Sequence, residues 1–108
     1  MEIKTRNDGS ITIATPVGRI DTTTAKAFED GVMGIDNNKI VISFGEIDYI
    51  SSAGLRVVLM LGKKLSASKG VLVLVDMSPN IFNVFKMSGF DKILKICANL
   101  EESKQFFN

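Results

Sequence analysis

The sequence contains no histidine. That absence removes the Ser-His-Asp triad, the Cys-His pair and every histidine-ligated metal site, and with them most hydrolase mechanisms. Cysteine occurs once, at Cys97, so no internal disulfide can close and a reducing compartment is expected. Cys97 lies in the apolar run 93–98, where a small buried thiol is ordinary packing. An excess of one charge is missing too. Thirteen Lys and Arg against 12 Asp and Glu leave a net charge of +1, too balanced for a chain whose main partner is nucleic acid or an anionic membrane. No apolar run approaches the ~20 residues of a membrane span, and the opening MEIKTRNDGS has no apolar signal-peptide core, so the expected location is cytoplasmic. There is no P-loop, no G-x-G-x-x-G and no C-x-x-C. The chain is therefore read as a non-enzyme. Glu46 and Asp48, near the end of a predicted strand, are read as a solvated loop rather than a catalytic carboxylate pair.

What is present suits one globular unit. The 108 residues are 45% hydrophobic and 23% charged, enough for one hydrophobic core. Neither an internal repeat nor a linker divides them, so residues 1–108 are expected to form one domain. Residues 1–8 alternate apolar and polar, Asp8 and Gly9 signal a turn, and residues 10–15 resume the alternation, which predicts a β-hairpin. Asp21, Thr22, Thr23 and Thr24 are rich in capping side chains, and Ala25, Phe28, Val32 and Ile35 follow at helical spacing. Residues 39–44 and the unalternating run 71–75 read as buried strands. Helices are predicted over 51–68, from Pro79 to Gly89, and after Asn99, with a strand over 93–97. This β-β-α-β-α-β-α-β-α order predicts an α/β fold, a mixed sheet with an N-terminal hairpin and about four helices packed on it.

One segment asks for more than a structural account. Between a strand-like stretch and the long helix stands Ile50-Ser51-Ser52-Ala53-Gly54-Leu55-Arg56, with two serines where a helix start needs one. At about 100° per residue, Gly54, Val58, Leu61, Gly62 and Leu65 share the side that must face the sheet. Ser52, Arg56 and Lys63 lie opposite, and Ala53 and Met60 fall between the two sectors. Ser51 lies at the N-cap position, where its hydroxyl accepts from a free backbone N–H. Ser52 points outward beside Arg56. A helix start one residue later would exchange these roles. An outward hydroxyl at a helix N-terminus suits a phosphate, because unpaired N–H groups and the helix dipole favour an anion there.

Three motifs carry a resemblance. Gly18-Arg19-Ile20-Asp21 precedes the first helix, Ser51-Ser52-Ala53-Gly54-Leu55 opens the second, and Met87-Ser88-Gly89-Phe90 closes the third. In this order and spacing the chain resembles the STAS-domain family, and more narrowly the bacterial anti-sigma factor antagonists. The resemblance implies a protein that binds an anti-sigma factor, itself a serine kinase, and so releases a sigma factor. The kinase phosphorylates one serine and ends the interaction; a metal-dependent serine phosphatase restores it. By the resemblance the acceptor is Ser52, with Ser51 as second choice, and Asp21 stands beside it, either in partner contact or phosphorylation, as a cap for Thr23 or Thr24, or as both. The expected contact surface is Asp21, Thr22, Ile50, Ser51, Ser52, Ala53, Gly54, Leu55, Arg56 and Met60. No cofactor, metal, nucleic acid or membrane partner is implied, and the free chain is expected to be a monomer. Many family members carry aspartate where Ser51 stands. That departure keeps open a second reading, a STAS scaffold or ligand-sensing module that is never phosphorylated.

Overall fold

The computed structural model describes residues 1–107; Asn108, the end of the predicted domain, lies outside the described residues. Seven strands and four helices follow in the order β1 (Ile3–Asp8), β2 (Ile11–Pro16), β3 (Gly18–Ile20), α1 (Ala25–Met33), β4 (Lys39–Ser43), β5 (Ile47–Ile50), α2 (Ser52–Ala67), β6 (Val71–Val75), α3 (Pro79–Met87), β7 (Lys95–Ile96) and α4 (Leu100–Ser103). The main sheet has the order β1-β2-β4-β6-β7. The predicted hairpin supplies its antiparallel pair, with Asp8 opposite Ile11. The remaining neighbours run parallel.

The alternation of strand side chains sorts the core into two layers. Ile40, Ile42, Leu72 and Leu74 pack with Phe28 and Val32 of α1, Val58, Leu61 and Leu65 of α2, and Ile81 and Phe85 of α3. Phe85 meets Phe44 edge-on, with ring centroids 5.6 Å apart, an arrangement that suits the opposed charge of ring edge and face. On the other side Ile11, Ile13, Val41, Val73 and Val75 are covered by Cys97, Leu100 and Phe107. The strands β4 and β6 therefore lack alternation because both their faces are buried.

The structure departs from the sequence reading in four places. Ile35 lies beyond the end of α1 yet still packs against the core. The predicted strand over 93–97 shortens to Lys95–Ile96, preceded by a 3-10 turn at Phe90–Lys92, and Ile93 is 63% exposed. The last helix has one turn and passes into a 3-10 segment, Lys104–Phe107. The largest addition is a second, two-stranded sheet in which β3 and β5 run parallel. Local pattern misses it because β3 has three residues and β5 buries only its two ends. The third helix stops where predicted, just before Gly89, whose φ of 81° is easy only for glycine.

Candidate functional site

The small sheet decides what surrounds the start of α2. Ile20 pairs with Ile50, and the Ser51 amide donates to the Ile20 carbonyl at 2.8 Å. The chain leaves both strands at the same level, so Asp21 and Ser51 emerge side by side. Ile20 is fully buried and Ile50 is 2% exposed; together they anchor the strand ends in the core. Gly54 lies directly over them. A Cβ at position 54 would stand 2.6 Å from Ile20 Cγ2 and 2.8 Å from Ile50 Cγ1, closer than carbon atoms pack. Glycine is what lets the first turn of α2 sit down on the small sheet.

Ser51 is the N-cap of α2, with extended backbone and its Oγ accepting from the Gly54 amide at 3.4 Å. Ser52 is the first helical residue, exposed, and no hydrogen bond holds its hydroxyl among the described residues. The two adjacent serines therefore divide the work as the helical wheel predicts: one hydroxyl is engaged and the other is free. Arg56, one turn further, is exposed, and Ala53 and Met60 are half-buried. Ile50, Gly54 and Leu55, also expected at the contact surface, are buried. They support the exposed residues from beneath rather than meeting a partner directly.

Asp21 is held in place. Its Oδ1 accepts from the Thr23 amide at 2.9 Å, the Thr23 hydroxyl at 2.7 Å and the Thr24 amide at 3.1 Å. These bonds, the Thr23 hydroxyl foremost, lower its pKa from 3.8 to about 2, because each donor favours the charged form. Asp21 thus organises the turn into α1, the capping role among the sequence alternatives. Its Oδ2 faces Arg19 Nε at 3.5 Å, and Thr22 beside it is exposed. Glu46 pairs with Lys4 at 3.0 Å, while Asp48 is an exposed residue of β5. Cys97 is half-buried, and burial, with Glu102 adding to it, raises its thiol pKa.

Sequence reasoning passed over two residues of this surface. Arg19 of β3 lies opposite Tyr49 of β5, its guanidinium carbon 4.5 Å from the ring centroid. The signal that points to them is a lone tyrosine, exposed between the buried Ile47 and Ile50. Among the described residues no three His, Cys, Asp or Glu side chains gather as metal ligands would. No helix among them is long and apolar enough to cross a membrane.

Residues 2–103 match the family described as the STAS domain. BtrV of Bordetella bronchiseptica, a proposed anti-sigma factor antagonist, is 42% identical over 69 residues, which are 64% of this chain and 60% of that protein. The match thus spans less than two thirds of the relative's length. Among solved structures, a proposed anti-sigma factor antagonist of Thermotoga maritima superposes with a TM-score of 0.89 at 22% identity, over 95% of this chain and 92% of that one. The Bacillus cell-fate determinant SpoIIAA in its phosphorylated form gives a TM-score of 0.72 at 19% identity, over 99% and 100%. At such identities the two structures share its fold.

Proposed function

The chain belongs to the STAS-domain family, and on that premise we propose that it is an anti-sigma factor antagonist switched by phosphorylation of Ser52. Unmodified, it binds an anti-sigma factor that is also a serine kinase, and the sigma factor is released. The observation that carries this reading is the division between the serines: Ser51 caps α2 and Ser52 stands exposed beside it. In the modification the Ser52 oxygen bonds to the γ-phosphorus of ATP as its bond to ADP breaks, and the hydroxyl proton passes to a base on the kinase. A serine phosphatase reverses it by hydrolysis, returning inorganic phosphate. The likeness to BtrV and the fold shared with phosphorylated SpoIIAA support this assignment.

The energetics favour a switch that acts at the surface. A phosphoserine brings a charge of about −1.5 to −2, enough to reverse the chain's net charge of +1. The free N–H groups and dipole at the start of α2 favour that anion, so the helix keeps its structure. The partner meets a changed charge on an unchanged fold. We assign the chain no reaction of its own, a cytoplasmic location, and a monomeric state when free, over one domain of 1–108.

The test is to incubate the chain with the serine kinase encoded nearest to it, magnesium and ATP, and to map phosphate by fragment mass spectrometry. Ser51→Ala and Ser52→Ala run alongside. Phosphate is expected on Ser52 and lost only in Ser52→Ala, and Ser52→Asp should weaken binding to the same kinase. The second reading, an unphosphorylated ligand-sensing module, draws on the groove of about 390 Å³ between α2 and β6, lined by Leu59, Gly62, Ile93 and Lys95 among others. Absence of phosphate with several candidate kinases would select it.

A further inference from the structure

Arg19 and Tyr49 face each other across the small sheet, and both are accessible: the Arg19 side chain is 57% exposed and Tyr49 42%. An exposed arginine is ordinarily free to sample many rotamers. This one is held from two sides, by the Tyr49 ring at 4.5 Å and by the Asp21 carboxylate at 3.5 Å. Asp21 is itself fixed by Thr23 and Thr24. Among the described residues neither terminal guanidinium nitrogen has a hydrogen-bond partner. The side chain is therefore preorganised, with most of its donors unused. A planar fork in that condition matches a carboxylate with two parallel hydrogen bonds, and the ordering entropy that binding would demand is already largely met. Arginine and tyrosine are also the residue types over-represented among energetically dominant interface positions.

We propose that the Arg19–Tyr49 pair anchors the partner surface by receiving a carboxylate side chain of the anti-sigma factor. This rests on the anti-sigma factor antagonist reading above and names the partner chemistry at that site. It also gives the phosphate a target to repel. Ser52 stands three residues beyond Tyr49, roughly 10 Å along the chain at strand rise. That is comparable to the Debye length of about 8 Å at physiological salt. A phosphate on Ser52 and a carboxylate docked on Arg19 are close enough to oppose each other.

The experiment measures the affinity of the full chain for the serine kinase encoded nearest to it, by titration calorimetry, at about 50 and about 500 mM salt, where screening differs several-fold. Arg19→Gln is expected to lose at least tenfold and to bind with a shallower salt dependence. Arg19→Lys keeps the charge but lacks the fork, and should recover only part of the loss. Tyr49→Leu should fall between wild type and Arg19→Gln, since it frees the arginine without removing it. Circular dichroism melts close to wild type establish that the variants fold. Wild-type binding with Arg19→Gln within twofold, and an unchanged salt dependence, would overturn the anchor while leaving the antagonist reading intact. No binding by wild type would overturn both.

Discussion

Alanine substitution at two glycines of the same helix should shift stability in opposite directions. At position 54 the new Cβ would lie 2.6 Å from Ile20 Cγ2 and 2.8 Å from Ile50 Cγ1, against the ~3.5–4.0 Å at which carbons attract. Roughly 1 Å of separation must be made. Ile20 is fully buried and Ile50 is 2% exposed, so neither can swing into solvent, and either the small sheet or the first turn of α2 has to move. Overpacking of this kind costs about 1–3 kcal/mol. The helix-propensity gain of alanine over glycine, about 1 kcal/mol in a helix interior, offsets part of it. Gly54→Ala is thus expected to be up to about 2 kcal/mol less stable than wild type. At position 62 the nearest atom is Leu94 Cδ2, at 3.2 Å, with Leu72 Cδ2 at an ordinary 3.7 Å. Leu94 is half-buried, and its methyl can yield a few tenths of an ångström. There the propensity gain wins, and Gly62→Ala should be about 0.5–1 kcal/mol more stable. Domains of this size shift by about 4–8 °C per kcal/mol, so thermal melts should separate the two variants by roughly 2–24 °C. Urea titrations with unchanged slope would attribute the difference to the folded state. Shifts of the same sign for both variants would refute the argument that Gly54 serves close approach.

Other outcomes follow from the same site. Ser51→Ala should lower stability by about 0.5–1 kcal/mol, the lower part of the N-cap range because its hydrogen bond is long at 3.4 Å, whereas Ser52→Ala should stay within about 0.5 kcal/mol; urea denaturation separates the two. Lys69 holds a φ of 62°, just past the end of α2, a conformation that strains any side chain. Lys69→Gly should therefore raise stability by about 0.5–1 kcal/mol despite the added chain entropy, readable as a higher melting temperature. Asp21 has its folded pKa lowered from 3.8 to about 2, so its charged form stabilises the fold fully above the unfolded value, and that contribution is lost as the pH falls toward 2. Asp21→Asn retains an acceptor oxygen but no charge. Its melting temperature should lie below wild type near neutral pH and converge on it as the pH falls from about 4 toward 2, whereas parallel profiles would show that the carboxylate charge does no such work.

Much of this protein was legible in the sequence because its determinants are local. Helix α2 announces itself through Val58, Leu61 and Leu65 on one face and Arg56 and Lys63 on the other, and a serine before the first turn is a capping signal wherever it occurs. The β-branched runs of β4 and β6 likewise report burial on both faces. That Ser51 and Ser52 are unequal follows from helical angle, but which of them caps depends on the helix start, which the structure sets at Ser52. The pairing of β3 with β5 is not local. Gly18–Ile20 and Ile47–Ile50 are far apart in the chain, and each is too short or too irregular for its period to show. Their register, Ile20 against Ile50 and Arg19 against Tyr49, exists only once the core has closed over both isoleucines. That register sets Asp21 beside Ser51, requires glycine at position 54 of the serine motif, and stacks Arg19 on Tyr49. Local periodicity determined which residues face outward; long-range pairing, which no local pattern encodes, decided which of those outward residues stand together.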